Sequence, residues 1–469
     1  MEHPAIKIFE ICFPASLCLC GALDWHHSSA PASARIIPGW TLRVRCGVHQ
    51  RSMPSSSMDI AVPRSQPENE SAAAPSRGAL IACMLAGMCT FLNVYDTQPL
   101  LPYLQGVFHA SAIAVSLTVS ATILAMALMA PVIGLLAELI GRKKVIVPSL
   151  YAVTVPTLLA ATSRNLHQLI FWRFMQGVFV PGVIVVIIAY INEEFPRSQV
   201  GRAMSAYVAG TVLGGFLGRY ISGVVSHQAS WRDAFLAIGL LNLLGAMLVQ
   251  RWLPRARNFV RAHSIAHSIA ESRQHLRNPQ LLAVFGMGFA ALFCLVGTFT
   301  YANFYLADPP YNLNPQQLGS VFFVYLFGFV VTPLSGRCFD SYGMRATSLV
   351  ALAFTVTGLL LTLVHSLAII IAGLALASTG VFIYQAVGTV QTGIVADKAR
   401  SSAAGLYVTL YYIGGGLGAI VTGWTWVGGG WPPCVFLLIG VAAIALIMGF
   451  VSSRRWPLPR TRDIRSRCR

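Results

Sequence analysis

The sequence predicts an all-α integral membrane protein built as two six-helix bundles, and three observations carry that expectation. Hydrophobic residues make up 55% of the 469 and charged residues only 10%, a balance that excludes an ordinary soluble domain. From Ala79 onward apolar runs of roughly 18 to 24 residues recur, each long enough to cross hydrocarbon as a helix. The basic turn Gly134-Leu-Leu-Ala-Glu-Leu-Ile-Gly-Arg-Lys-Lys144 is echoed about 200 residues later by Gly336-Arg-Cys-Phe-Asp-Ser-Tyr-Gly-Met-Arg345, the mark of a duplicated chain whose halves move against each other.

The first bundle, residues 79–251, holds spans at 79–101, 114–136, 145–163, 168–190, 203–225 and 232–250. The second, residues 281–451, holds spans at 281–303, 316–336, 346–364, 367–390, 404–425 and 432–451. None of these runs alternates as a barrel strand would, so only a helix satisfies their backbone amides internally. Residues 252–280 join the bundles and are rich in Arg, His and Ser. Phe259, Val260, Ile265 and Ile269 stand there at partly helical spacing, which reads as an amphipathic linker on the inner membrane surface. His263 and His267 form an i,i+4 pair in this linker and read as ordinary solvated residues.

Residues 1–78 are expected to form a disordered cytoplasmic leader. The short apolar run at 8–22 is neither a full span nor a good secretion signal, and 53–77 is rich in Ser, Pro and Ala. Met53 or Met58 would give a more ordinary leader, so the upstream part is expected to be dispensable or a start-site artefact, with a real but floppy extension as the alternative. Residues 452–469 are expected to form a basic cytoplasmic tail, whose charge suits contact with anionic lipid without implying a specific lipid site.

Charge sets the orientation. If Arg142, Lys143 and Lys144 face the cytoplasm, so do Arg197 and Arg202, the six arginines from Arg251 to Arg277, Arg337 and Arg345, Lys398 and Arg400, and the seven from Arg454 to Arg469. The opposite loops hold only Arg164 and Arg232, which is 2 Lys/Arg against 22, so both termini are expected inside. The net charge of +17 is thereby explained without a nucleic-acid partner. The ten cysteines show neither a C-x2-C pair nor a Cys/His set with metal spacing, and no metal, cofactor or catalytic motif is indicated, so the chain does not read as an enzyme.

Three charges stand well inside the first six spans. Asp96 is about 17 residues into the first, Arg219 about 16 into the fifth and Arg173 about 5 into the fourth, which at 1.5 Å per residue places all three in the outer part of the bilayer. A permanent guanidinium there needs an acceptor or an aqueous cavity. In the fifth span Gly210, Gly214, Gly215, Gly218 and Gly223 strip side chains from one face, which suits close packing across the central interface. Gly414, Gly415, Gly416, Gly418 and Gly423 echo them loosely in the eleventh. At the basic turn Gly141 is free to take positive φ before Arg142, and Arg142 is placed to pair with Glu193 or Glu194.

These motifs resemble the major facilitator superfamily over about residues 79–451. Gly134, Gly141, Arg142 and Lys143 match the signature loop between its second and third helices, with Glu138 in place of Asp and Leu139 in place of Arg. Arg173-Phe-Met-Gln176-Gly177 resembles the Arg-x-x-Gln-Gly motif of the fourth helix. The fifth-span glycines with Arg219 resemble the antiporter motif of twelve-helix proton-coupled exporters. Gln98-Pro-Leu-Leu-Pro102 and Gly218-Arg219 look most like the bacterial arabinose-efflux and multidrug-efflux branch.

The resemblance implies two bundles around a central cavity and a proton-coupled antiporter of the bacterial inner membrane. It would export a small sugar-like or amphiphilic solute by alternating access, as a functional monomer whose partners are the solute, protons and lipid. A uniporter or uptake symporter of the same fold is the alternative. Asp96, with Arg173 and Arg219 beside it, is the expected proton-coupling group, because proton affinity depends on solvent access and on nearby charge. Glu138, Arg142 and Asp340 are the expected gating residues, Glu138 meeting the start of the eleventh helix near Ser401 and Ser402. Asn93, Gln176, Tyr207, Tyr301, Asn303, Tyr325, Gln385, Tyr407 and Tyr411 are expected to line the cavity, where a few hydrogen-bonding groups stand among aromatic walls.

Overall fold

Pro99 decides where the first span stops being one helix. The computed structural model describes residues 77–256, 273–396 and 400–452. Helix α1 (Arg77–Val94) cannot run on because Pro99 has no N–H for the Tyr95 carbonyl and its ring crowds that turn. The chain passes Tyr95, Asp96 and Thr97 irregularly, makes a 3-10 turn over Gln98–Leu100 and resumes as α2 (Leu101–Phe108). Residues 1–76 of the leader, the linker histidines His263 and His267, Lys398 and residues 453–469 of the tail lie outside the described residues, while Arg77 and Gly78 already belong to α1 and Ser452 is still helical.

The other spans of the first half follow in order as α3 (Ala112–Ile140), α4 (Arg142–Ala160), α5 (Leu166–Phe179) with α6 (Pro181–Glu194), α7 (Arg197–Gln228) and α8 (Trp231–Trp252). The second half comprises α9 (Pro279–Ala307), α10 (Pro315–Val321), α11 (Val324–Leu361), α12 (Leu367–Val395), α13 (Arg400–Gly429) and α14 (Trp431–Ser452). Eleven segments of the described residues are long and apolar enough to cross a membrane. The eighth expected span, 316–336, is not one helix. It is delivered as α10, a tight turn at Phe322 and Phe323 closed by i→i−3 bonds, and the first part of α11.

The duplication shows in the backbone. Gly141 divides α3 from α4 at φ 103°, and Gly343 breaks α11 at φ 77°, each the second glycine of its Gly-x6-Gly turn. Only glycine takes such angles without a Cβ clash. Asp340 lies on the helical backbone just before that break, and its side chain is outside the described set.

The glycine ladder of α7 corrects one expectation. A Cβ at Gly210, Gly214 or Gly218 would fall on the carbonyls of Met84, Met88 and Leu92, so the ladder seats α7 on α1 of its own half and not across the interface. Of the series, Gly223 faces the other half, against the Pro315 carbonyl, and a Cβ at Gly215 would meet Arg219 Nη1 at 3.4 Å. The second half repeats the arrangement, with Gly414 and Gly418 seating α13 on the carbonyls of Phe289 and Phe293 of α9.

The buried apolar residues then fall into three clusters. One runs through both halves, from Val94 and Val115 to Phe299, Phe322 and Trp431. At the end carrying Arg142 to Lys144 the packing is divided. One cluster there holds first-half residues alone, among them Ala82, Ile146, Tyr190 and Tyr207. The other holds second-half residues alone, such as Leu281, Phe285 and Tyr407. The two bundles are thus joined at one end and separately packed at the other, while large apolar side chains such as Leu128, Leu240 and Val427 are exposed.

Candidate functional site

Helix α1 ends with its last carbonyls lacking a following turn to bond them. Arg173 of α5 supplies the missing donors. Its Nη1 donates to the Asn93 carbonyl at 2.8 Å and its Nη2 to the Val94 carbonyl at 2.7 Å, while Nε donates to the Thr118 carbonyl of α3 at 3.0 Å. The same Nη1 stands 2.7 Å from Oδ1 of Asp96 in the turn just beyond. Arg173 is 0% exposed and Asp96 1%, so Asp96 is not an interfacial helix-end residue. Apart from this ion pair, the Asp96 oxygens find no well-aligned donor among the described residues. Three carbonyls fix the guanidinium in place, whereas the carboxylate has the Arg173 charge and only the nearby backbone amides of Asp96 and Thr97 in its own turn.

Behind Arg173 runs a closed polar network. Gln176 accepts from Arg173 Nη1 through Oε1 and donates through Nε2 to the Thr157 hydroxyl at 2.7 Å. Asn93 accepts from Thr157 at 2.8 Å and donates to the Cys89 carbonyl at 2.7 Å and to Asn242 Oδ1 at 3.0 Å. Asn242 in turn donates to Thr154 Oγ1 and to the Leu150 carbonyl. Asn93 and Gln176, expected in the cavity, are therefore inside the first bundle with their amides committed. A polar residue in an apolar run has either a passage or a partner on another helix, and here it has the partner.

Arg219 of α7 lies on the other side of the Asp96 turn. Its Nε donates to Gln98 Oε1 at 2.7 Å and its Nη1 to the Gly215 carbonyl at 2.5 Å. The guanidinium carbon sits 4.4 Å from the ring centre of Tyr95, 4.5 Å from Phe322 and 4.9 Å from Tyr325. Gln98 also donates through Nε2 to Thr300 Oγ1 of α9 at 3.3 Å, and Ser222 donates to the Asp96 carbonyl at 2.6 Å. Sequence reasoning missed Tyr95, Phe322 and Ser222, and named Gln98 only as part of Gln98-Pro-Leu-Leu-Pro102 without a site role. Pro99 was the available signal, since it marks the break around which all of these gather.

At the basic end Arg142 donates to Glu193, Nη2 to Oε1 at 2.7 Å and Nε to both oxygens at 3.1 Å. Lys143 donates to the carbonyls of Gln250 and Leu253. The hinge is thereby tied to α6 and α8 of its own half. Glu138 is half-buried and has no hydrogen-bond or ion-pair partner among the described residues, so its expected contact with the start of α13 is not made in this arrangement.

The remaining cavity candidates separate. Tyr207 is buried in the first-half cluster. The Tyr301 hydroxyl meets Ser116 Oγ at 3.3 Å, a contact between the halves. Asn303 donates to the Phe299 carbonyl of its own helix at 2.5 Å, and Tyr325 belongs to the Arg219 cage. Tyr407 is lodged between Gly288 and Gly388 and lies 6.3 Å, centre to centre, from the nearly parallel ring of Tyr411. Gln385 and Tyr411 are half-buried. No group of three or more His, Cys, Asp or Glu is arranged for a metal among the described residues.

The sequence profile described as Major Facilitator Superfamily matches residues 83–310 and 309–466. The chain is 30% identical over 388 residues to an uncharacterized MFS-type transporter, YybF, of Bacillus subtilis (strain 168), covering 82% of this chain and 96% of that protein. It is 31% identical to the inner membrane transport protein YnfM of Escherichia coli (strain K12), covering 80% of this chain and 90% of the relative. It is 27% identical to a chloramphenicol efflux pump, MT0201, of Mycobacterium tuberculosis (strain CDC 1551 / Oshkosh), over 60% of this chain and 70% of the pump. Among solved structures, a bacterial homolog of the human lysosomal transporter Spinster, in an inward-facing and unoccupied conformation, aligns with a TM-score of 0.65 at 17% identity, over 80% of this chain and 96% of that one.

Proposed function

The chain belongs to the major facilitator superfamily and is a multi-pass membrane protein of a transporter family, and from that premise we propose a proton-coupled antiporter that exports a small amphiphilic or sugar-like solute by alternating access. The observation that carries the reading is the buried Asp96–Arg173 pair beside the break in the first span. Protonating Asp96 removes the charge that holds it, while Arg173 keeps its three carbonyls. The pair is thus a place where one proton changes the balance between two arrangements. Division of the packing at the basic end supports a passage open there, with the half-buried Gln385 and Tyr411 on its wall.

Export is supported by likeness to the efflux pump and by the antiporter-like glycines of α7. The basic loops would lie in the cytoplasm of a bacterial inner membrane with both termini inside, residues 1–78 as leader, 252–280 as linker and 452–469 as tail, and the monomer as the working unit.

Reconstitution of the full chain in liposomes with an imposed pH gradient tests this against a panel of sugars, dyes and antibiotics that includes chloramphenicol. Uphill movement collapsed by a protonophore is expected, with Asp96→Asn retaining exchange but not accumulation. Transport that ignores the protonophore and is fully retained in Asp96→Asn would make the protein a facilitated-diffusion carrier instead.

A further inference from the structure

We propose that Arg219 and the rings around it are the clasp that closes the passage at the end away from the basic loops, and that Gln98 ties this clasp to the turn carrying Asp96. The proposal rests on the alternating-access reading above. Arg219, Tyr95 and Gln98 belong to the first half; Phe322, Tyr325 and Thr300 belong to the second.

Three features give the contact the character of a clasp. The tight turn between α10 and α11 presents two successive rings, Phe322 to the Arg219 guanidinium at 4.5 Å and Phe323 to Phe216 at 4.3 Å. Tyr220 adds an edge contact to Phe323 at 5.8 Å, so Phe216, Arg219 and Tyr220 together form one face of α7 against the second half. Small residues let the backbones approach, since a Cβ at Gly319 would come 2.8 Å from the Arg219 carbonyl and one at Gly223 would strike the Pro315 carbonyl.

The chemistry suits a contact that must also open. A guanidinium over desolvated rings gains appreciable attraction without a fixed counter-ion. When the halves part, Arg219 keeps Tyr95 and Gln98 and exchanges Phe322 and Tyr325 for water, so neither state strands a buried charge. Gln98 bonds on both sides of the seam, accepting from Arg219 and donating to Thr300, and it lies two residues from Asp96 in the same irregular stretch. Ser222, one turn beyond Arg219, holds the Asp96 carbonyl. A shift of that turn on loss of the Asp96–Arg173 pairing therefore reaches the Arg219 guanidinium through Gln98, whereas Ser222 holds only the backbone of the turn.

Nitroxide labels at His227 and Asp308, both exposed at that end, read the separation of the halves in the full-length protein on a cysteine-depleted background. Arg219→Met is expected to lower the ratio of closed to open molecules about tenfold. Tyr325→Leu should do so severalfold, while Tyr325→Phe, which keeps the ring, holds the closed distribution. Asp96→Asn should change the distance distribution, and should lose that effect when Gln98→Leu is added.

An unchanged distribution in a folded Arg219→Met overturns the clasp. If that variant does not fold, equal behaviour of Tyr325→Leu and Tyr325→Phe overturns it. A response to Asp96→Asn that survives Gln98→Leu overturns the tie. If the distances move as expected while a proton gradient drives no transport, the clasp stands and the proton-coupling reading falls.

Discussion

Arg173 reaches Asp96 at 2.7 Å where neither side chain meets water, and Arg173 is held besides by three carbonyls while Asp96 has only the nearby amides of its own turn. The asymmetry comes from the break in the first span, which leaves carbonyls for the guanidinium and, for the carboxylate, only the nearby amides of Asp96 and Thr97. A residue that could be read as a helix-end acid is thereby made into a buried ion whose one strong partner sits on another helix.

Removing either member of such a pair leaves the other charge uncompensated. Asp96→Asn and Arg173→Gln are each expected to destabilise the protein, by about 3 kcal/mol or more. Arg173→Gln should be the worse because it also strips the end of α1. The double variant should be less damaged than the two losses added, with a coupling of about 1 to 3 kcal/mol. Thermal melting in detergent of the four proteins checks this; strictly additive shifts would mean that the pairing contributes nothing.

Glycines of one helix should respond with opposite signs. A Cβ at Gly214 meets the Met88 backbone, which cannot swing aside, so Gly214→Ala should destabilise by about 1 to 3 kcal/mol and Gly214→Leu should prevent folding. Nothing lies within 4 Å of a Cβ at Gly201, near the start of the same helix, so Gly201→Ala should stabilise by about 0.5 to 1 kcal/mol through helix propensity. Fluorescence-detected gel filtration after heating separates the two.

The contrast also shows what the sequence could tell. Spacing made Gly210, Gly214 and Gly218 a packing face, but nothing in the spacing says which helix covers it, and α1 does so in place of a helix across the seam. Asn93 and Gln176 were legible as polar residues in apolar runs. Their partners Asn242 and Thr157 stand 149 and 19 residues away, a distance over which periodicity carries no information. Charge bias, span length and the paired Gly-x6-Gly turns are local properties, so they were readable. The Arg219 cage depends on rings from the other half and on an interruption of the eighth span that its apolar composition conceals.

Gly141 and Gly343 hold equivalent backbone angles in the two halves, φ 103° and φ 77°. Replacing either by Ala places a Cβ where L-residues are strained, at about 1 to 3 kcal/mol. Melting shifts of similar size for Gly141→Ala and Gly343→Ala are expected, adding in the double variant because the turns are in separate bundles. A large effect from one and none from the other would show that the duplicated turns no longer share a role.

Glu138 offers the counterpart at the basic end. It has no partner among the described residues here, where the packing of the two halves is separate, so in this arrangement Glu138→Gln has no contact to lose. The state in which the halves close at that end should instead lose the attraction between Glu138 and the start of α13, about 0.3 to 1 kcal/mol if exposed and up to about 2 if partly buried. The ratio of closed to open molecules would fall about twofold to fivefold in the exposed case. Arg142→Ala acts differently, because Arg142 pairs with Glu193 inside the first half, and a partly exposed pair of this kind contributes no more than about 1 kcal/mol. Labels at Ser198 and Gly393, exposed at the basic end of each half, report the closed fraction. Glu138→Gln should shorten the closed state's share and slow turnover while melting is unchanged. If distances and turnover both stay as they were in a normally inserted protein, the loop anchors topology and does not gate.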